Sequence, residues 1–209
     1  MVSKNLYNFY HIYADGQWQS SVAEYVSALL NSGLYDNLAG LFIGIAGSKA
    51  NQDAVITYLS GCKLAFKVVA TAETGWEQVT QIPLAHFAKT TEGYVLYAHS
   101  KGSSDPSPIN IAWRQSMICC NVVNWREMVA KLEVVQAAGS HWLHPSRYSN
   151  VTTPFFGGTF WWARLDYVRT LGEPKVENRW QAESWIGEKN PIVFDNNPGW
   201  PGFSIFVRC

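Results

Sequence analysis

Hydrophobic and polar positions along this chain fall into blocks whose period switches between strand and helix. Asn5 to Tyr13 is aromatic and β-branched, which predicts a first strand closed by the Asp15-Gly16 turn. Val22, Tyr25, Val26, Leu29 and Leu30 recur at helical spacing and predict a helix over 18–31, capped by Gly33. The run 40–46 is continuously apolar and predicts a second strand. A short helix over 51–60 and a third strand over 65–71 follow. The stretch 76–90 is expected to be partly helical and broken near Pro83. Residues 93–99 predict a fourth strand.

Strands without polar alternation, separated by helices, imply a parallel sheet covered on both faces. Right-handed crossovers then give a Rossmann-like half. Ligands of such sheets bind beyond the carboxyl ends of the strands. The positions of interest are therefore Tyr13-Ala14-Asp15, Ala46-Gly47-Ser48, Ala70-Thr71 and His99-Ser100-Lys101-Gly102. Neither G-x-G-x-x-G after the first strand nor G-x-x-x-x-G-K-[ST] occurs, which argues against dinucleotide oxidoreductases and P-loop enzymes.

The rhythm changes after the Ser103–Pro108 loop. Ile118, Val122, Trp125, Val129 and Leu132 step by four and three, predicting one long helix from about Ile109 that Gly139 closes. His141 to Pro145 is irregular. Pro154 to Ala163 reads as a strand with two adjacent glycines, followed by helices over 166–171 and 178–187. The tail 197–209 is turn-rich and ends in a strand-like run. No repeat or linker divides the chain, so 1–209 reads as a single domain.

Composition narrows the classes. Lys+Arg and Asp+Glu number 16 each, so the net charge is zero and gives no support to a nucleic-acid partner. Hydrophobic residues make up 47%, enough for a core and too many for a disordered chain. No apolar run reaches the ~18 residues of a membrane span. The first residues are too short and polar for a signal peptide, so a cytoplasmic protein is expected. Cys62, Cys119, Cys120 and Cys209 form no C-x-x-C pair and read as reduced thiols of an intracellular chain. Ten tryptophans suit a core, an interface or a sugar face.

Three constellations carry candidate chemistry. At the end of the fourth strand, His99, Ser100, Lys101 and Gly102 combine donors, a point charge and a backbone open to approach, the requirements of a phosphate site; the alternative is a surface turn. In the second, Gly157 and Gly158 permit close approach by a ligand or another backbone. There Trp161 and Trp162 point to opposite strand faces, one to the core and one to a cleft. In the third, Glu183 lies among Ala182, Trp185 and Ile186, a setting that suits a general base as well as a solvated helix carboxylate. His141 and His144 are spaced as a metal pair, but nothing nearby completes a ligand set, so no metal residue is assigned.

Taken in order, Tyr10-His11-Ile12-Tyr13, Ser32–Tyr35, Leu96–Gly102, Ala112-Trp113-Arg114, Phe156–Ala163 and Ala182–Ile186 resemble the blocks of small bacterial and viral GT-A-fold glycosyltransferases, over about residues 7–187. The resemblance implies an α/β, GT-A-like fold with a Rossmann-type, mostly parallel central sheet and helices on both faces. About 1–102 would bind a nucleotide-sugar and about 103–209 the acceptor, a saccharide or other hydroxyl compound. By the resemblance, Tyr13 and Asp15 lie near the base, and His99, Ser100 and Lys101 meet the diphosphate. Gly157, Gly158, Trp161 and Trp162 line the acceptor side, and Glu183 is the base or orients the sugar. The usual Asp-x-Asp after the fourth strand is replaced by His99-Ser100-Lys101, and no other Asp-x-Asp occurs. Fixed cationic groups would then take the place of a divalent metal such as Mn or Mg. The expected function is glycosyl transfer without a metal or other cofactor. The alternatives are a phage-type glycosyltransferase acting on modified DNA bases, a nucleotidyltransferase, and a non-catalytic carbohydrate-binding protein.

Overall fold

A computed structural model describes residues 5–145, 151 and 153–198. Its seven-stranded sheet has the order β3-β2-β1-β4-β8-β5-β9. The strands are β1 (Leu6–Tyr13), β2 (Leu38–Ala46), β3 (Lys67–Ala72), β4 (Tyr94–His99), β5 (Ala137–Gly139), β8 (Trp161–Arg164) and β9 (Val193–Asp195). Strands β3, β2, β1 and β4 pair parallel, β8 is antiparallel to both β4 and β5, and β9 is parallel to β5. A separate pair joins β6 (Trp142–Leu143) to β7 (Phe155–Phe156). This is the mostly parallel α/β sheet that the block pattern predicts.

Alternation along each strand feeds two cores. Tyr10, Ile12, Leu96 and Trp162 pack with Val22, Tyr25 and Leu29 of α1 (Trp18–Asn31) and Val55 and Leu59 of α2 (Lys49–Gly61). Phe9, Tyr97 and Trp161 pack on the other face with Leu84 and Ala85 of α3 (Gln78–Ala88) and Val168 of α6 (Leu165–Leu171). The polar residues of β1 are buried and paired. Asn8 donates to Leu96 O at 3.1 Å and accepts from Tyr25 Oη at 3.0 Å, while His11 Nδ1 meets Thr80 Oγ1 at 2.8 Å. Burial holds the His11 imidazole down to about 4, hence neutral at physiological pH. Thr80 lies over Gly44, where a Cβ would come within 1.9 Å of its hydroxyl, so β2 needs glycine there.

Several expectations are corrected. Leu30 is exposed and outside the α1 stripe. Helix α3 runs unbroken through Pro83, because Leu84, Ala85 and Ala88 are buried against the sheet and hold the turn that lacks one amide donor. The long helix is instead α4 (Pro108–Ile118), a π-helical segment (Cys119–Val123) and α5 (Trp125–Lys131). Its stripe is real, since Ile118, Val122, Trp125 and Leu132 are buried. However, Gly139 does not cap it; Ala137–Gly139 is β5, where pairing with β8 and β9 overrides alanine's helix propensity. The glycine-bearing strand is two strands, β7 and β8, joined by a turn at Gly157-Gly158-Thr159. The last predicted helix is α7 (Trp180–Ser184) followed by a 3₁₀ turn, Trp185–Gly187. The tail's expected strand lies outside the described residues from 199 onward, and β9 was not anticipated. Cys119 is disulfide-bonded, which corrects the reading of an all-reduced chain; Cys62 and Cys120 are free. Among the described residues, no helix is long and apolar enough to cross a membrane.

Candidate functional site

The pairing directions bring the carboxyl ends of β1–β5 and β9, and the amino end of β8, to one edge of the sheet. The loop after β4 is fixed there by its neighbours. Ser100 N donates to His11 O at 2.9 Å, and Ser100 Oγ accepts from Tyr13 N at 2.9 Å. Ser103 Oγ donates to Ser100 O at 2.7 Å, and Gln17 N donates to Ser103 O at 2.7 Å. Buried Arg114 of α4 donates to Lys101 O at 2.8 Å and to Glu24 Oε2 at 2.9 Å. Gly102 completes the turn at φ +85°, and a Cβ there would meet Arg114 Nη1 at 2.9 Å. Ser100, expected among the donor contacts, is thus a stitch between β1 and β4, turned inward.

His99 is also engaged on both sides of its ring. Nε2 donates to Gly158 O at 2.9 Å and Nδ1 faces Glu77 Oε1 at 3.2 Å. A carbonyl only accepts, so Nε2 carries a hydrogen. His99 and Glu77 thus form a close pair with side chains only 14% and 13% exposed. Burial alone would raise the Glu77 carboxyl, but hydrogen bonding and charge from His99 outweigh it and hold it down to about 2. Both ring nitrogens of His99, expected to meet the donor, thus have protein partners.

Lys101 behaves differently. Its Nζ rests 4.0 Å from the centroid of Trp113, and no ion pair of this ammonium occurs among the described residues. Burial lowers its proton affinity, while the charges of Glu183 and Glu77 oppose that loss. Glu183 stands in the same field. Its side chain is 14% exposed, and Oε1 lies 3.9 Å from Arg179 Nη2. Burial and the Glu77 charge raise its carboxyl above the usual range, against the pull of Lys101, Arg179 and His99.

Glu183 is placed by long-range bonds from α3. Gln81 Nε2 donates to Ala182 O at 3.0 Å, and Gln78 Nε2 donates to Asn178 O at 2.8 Å. Tyr167 Oη holds Ile186 O at 2.7 Å, and Thr153 Oγ1 holds Ser184 O at 2.7 Å. Gly187 admits the Pro154 carbonyl where a Cβ would sit 1.7 Å away.

The remaining expected residues divide. Tyr13 is 38% exposed at the end of β1. Asp15 Oδ1 accepts from Ser48 N at 2.7 Å, Ser48 Oγ at 2.9 Å and Asn51 Nδ2 at 2.9 Å, and these bonds lower its carboxyl. It ties the β1 loop to the start of α2. Gly157 and Gly158 are buried in the β7–β8 turn, where added Cβ atoms would meet Leu143 at 2.7 Å and the Met117 sulfur at 2.5 Å. Close side-chain packing, not ligand approach, requires them. Trp161 and Trp162 do point to opposite faces, but both are fully buried, so the expected cleft-lining role is corrected. Trp161 stacks on Tyr97 at 5.1 Å, and Trp162 Nε1 donates to Asn121 O at 2.8 Å. His141 is buried at the end of β5, its amide held by Asp195 Oδ1 at 3.0 Å. Among the described residues no group of three His, Cys, Asp or Glu side chains is arranged to hold a metal. A groove of ≈ 730 Å³ between α1 and α4, bordered by Ala28, Asn31, Ile118 and Val123, shares none of the strand-end residues.

Sequence reading missed Glu77, the aromatic platform Trp113 and Arg179. Glu77 was accessible to the strand-end rule, since it opens the helix after β3, and Arg179 stands four residues before Glu183.

The sheet order and the strand-end site define the α/β fold shared by GT-A glycosyltransferases and nucleotidyltransferases. By fold the chain is similar to the 4-diphosphocytidyl-2C-methyl-D-erythritol synthase of Anaerococcus prevotii DSM 20548, with TM-score 0.50 and 9% identity over 99% of this chain and 92% of the other. It is also similar to the mannosyltransferase PcManGT of Pyrobaculum calidifontis, solved with GDP-Man and Mn²⁺. That TM-score is 0.51 and the identity 11%, over 93% of this chain and 55% of the other. The chain thus spans about half of the mannosyltransferase. In sequence, the chain belongs to the family described as a domain of unknown function (DUF8361), whose model matches residues 9–202. No curated protein matches it in sequence.

Proposed function

We propose that the protein is a glycosyltransferase that moves a sugar from a nucleotide-sugar donor to a hydroxyl acceptor. The observation that carries this reading is Lys101, an ammonium held on an aromatic face at the end of β4, with no ion pair among the described residues. It stands where the resemblance puts the metal-binding Asp-x-Asp. The donor set does not fit a divalent cation. Lysine offers three donors and no lone pair, and the neighbouring Glu77 is committed to His99. No step is therefore assigned to Mn or Mg.

In this reading about 1–102 holds the donor and about 103–209 the acceptor. The base lies beside the exposed Tyr13 ring, with Asp15 shaping the loop around it. The diphosphate bonds to Lys101. Glu183 takes the proton of the acceptor hydroxyl as its oxygen bonds to the anomeric carbon. The bond from that carbon to the diphosphate breaks, and the nucleoside diphosphate leaves with the electron pair. Lys101 meets the charge that develops on it. Raised proton affinity moves Glu183 toward the working range of a base.

The test is a panel of nucleotide-sugars scored by thermal shift and by the product released. Glycosyl transfer or donor hydrolysis releases a nucleoside diphosphate. Nucleotidyl transfer, tested with nucleoside triphosphates, releases pyrophosphate. Stabilisation by at least one nucleotide-sugar, lost in Lys101→Ala, supports the reading. No stabilisation by any donor, or release of pyrophosphate alone, overturns it.

A further inference from the structure

A charge count at the strand ends leaves one cation without an assigned task. Glu77 faces His99 and adds no positive charge. Lys101 supplies a single positive charge. A nucleotide-sugar carries a negative charge on each phosphate and gains another as the sugar departs, so one ammonium leaves the departing group undercompensated. Arg179, at the start of α7, is the other cation in the field of this cluster, acting on both Lys101 and Glu183. Its guanidinium lies 4.8 Å from the Trp180 ring and 3.9 Å from Glu183 Oε1, with 54% of its side chain exposed. That separation is the outer edge of an ion pair.

We infer that Arg179 is the second diphosphate-binding cation, resting on Glu183 in the free protein and passing to the diphosphate when the donor binds. The inference rests on the glycosyltransferase reading above and adds a residue to it. Its logic is electrostatic. An arginine fork matches two phosphate oxygens, and its attraction to a diphosphate exceeds that to one half-paired carboxylate. Proton transfer completes the exchange. When Glu183 takes the acceptor's proton it becomes neutral and releases its hold on Arg179. At the same moment the leaving diphosphate gains charge. Among the described residues, Glu77, Lys101, Arg179 and His99 are the titratable groups that act on Glu183, from the start of α3, the end of β4 with its loop, and the start of α7.

The experiment titrates inorganic pyrophosphate into the wild type, Lys101→Ala, Arg179→Ala, Arg179→Lys, Glu183→Gln and the Arg179→Ala/Glu183→Gln double variant by calorimetry, with melting temperature as the folding control. Arg179→Ala is expected to bind about 10- to 100-fold more weakly, and Arg179→Lys to fall between it and wild type. Glu183→Gln, by freeing Arg179, is expected to tighten binding at least a few-fold more when Arg179 is present than when it is absent. Unchanged affinity in Arg179→Ala, or a Glu183→Gln effect that ignores Arg179, overturns the inference while leaving Lys101 in place. Equal binding by wild type and Lys101→Ala, or no binding by either, overturns the underlying diphosphate site and the inference with it.

Discussion

Glu77→Gln isolates the buried contact between Glu77 and His99. Glutamine keeps the shape and removes the charge that faces His99 across 3.2 Å. The Glu77 carboxyl moves from 4.5 to about 2 on folding. At about 1.4 kcal/mol per unit this corresponds to about 3 kcal/mol of stability at neutral pH. The side chain is only 13% exposed, so solvent screening removes little of it. Breaking a buried pair by removing one partner costs a similar amount. The sign is set by the direction of the shift. The folded-state value lies below the unfolded one, so the contribution is complete above about pH 4.5 and fades as the pH falls toward 2. Wild type and Glu77→Gln should therefore differ by about 3 kcal/mol at pH 7, a drop of about 6–12 °C in Tm for a chain of this size. The gap should shrink steadily below pH 4.5. Urea unfolding of both proteins at a series of pH values from 7 to 3 measures it. A gap that does not change with pH would mean that the loss is one of packing, and no gap would mean that the pair contributes nothing.

Lys101→Ala should weaken nucleoside diphosphate binding by about 1.5–3 kcal/mol, the scale of a charged hydrogen bond; unchanged affinity in calorimetry would remove Lys101 from the site. Glu183→Gln should lower turnover by about 10²–10⁴-fold with Tm unchanged or raised, since a buried carboxylate is removed. A wild-type rate would demote Glu183 to a structural role. Because base catalysis needs the ionised carboxylate, turnover should fall on the acid side through its raised value, and Glu77→Gln should move that limb to lower pH; an unmoved limb would show that Glu77 does not act on Glu183. Donor turnover should survive EDTA, and activity lost to EDTA and restored by manganese would refute metal independence.

The parallel half of the fold was legible because its central strands are largely buried and rich in apolar residues, as in Leu41–Ala46 of β2 and Tyr94–Ala98 of β4. The second half was not, and the reason is length. Strand β5 is three residues of small side chains, and Ala137 and Ala138 carry no β signal of their own. Their strand conformation comes from β8 and β9, which lie far away in sequence. The π-helical segment at Cys119–Val123 left the buried stripe intact, so the four-and-three spacing concealed the change of helix type. The paired glycines misled for a related reason: glycine reports close approach, not what approaches, and here it was Leu143 and Met117.

At the site, the two groups the sequence reading singled out for chemistry, Lys101 and Glu183, do share one electrostatic field. Lys101 follows a parallel strand, whereas Glu183 belongs to α7 and is placed by the bonds of Gln81 and Gln78 from α3. What could not be read was which polar groups the protein consumes internally. His99, Ser100 and Asp15 each have the right type and position, yet each is bonded by Glu77 and Gly158, by Tyr13, or by Ser48 and Asn51. Only packing decides between a ligand's hydrogen bond and a structural one. The same holds for tryptophan. Abundance alone suited a core, an interface or a sugar face; Trp161, Trp162 and Trp185 are fully buried in the core, while Trp113 carries the Lys101 ammonium on its ring. An aromatic face that carries a cation holds that cation without neutralising it, whereas a carboxylate would have cancelled it. In the proposed reading, this choice of partner, more than the presence of lysine, leaves the charge at the end of β4 to meet the donor's phosphates.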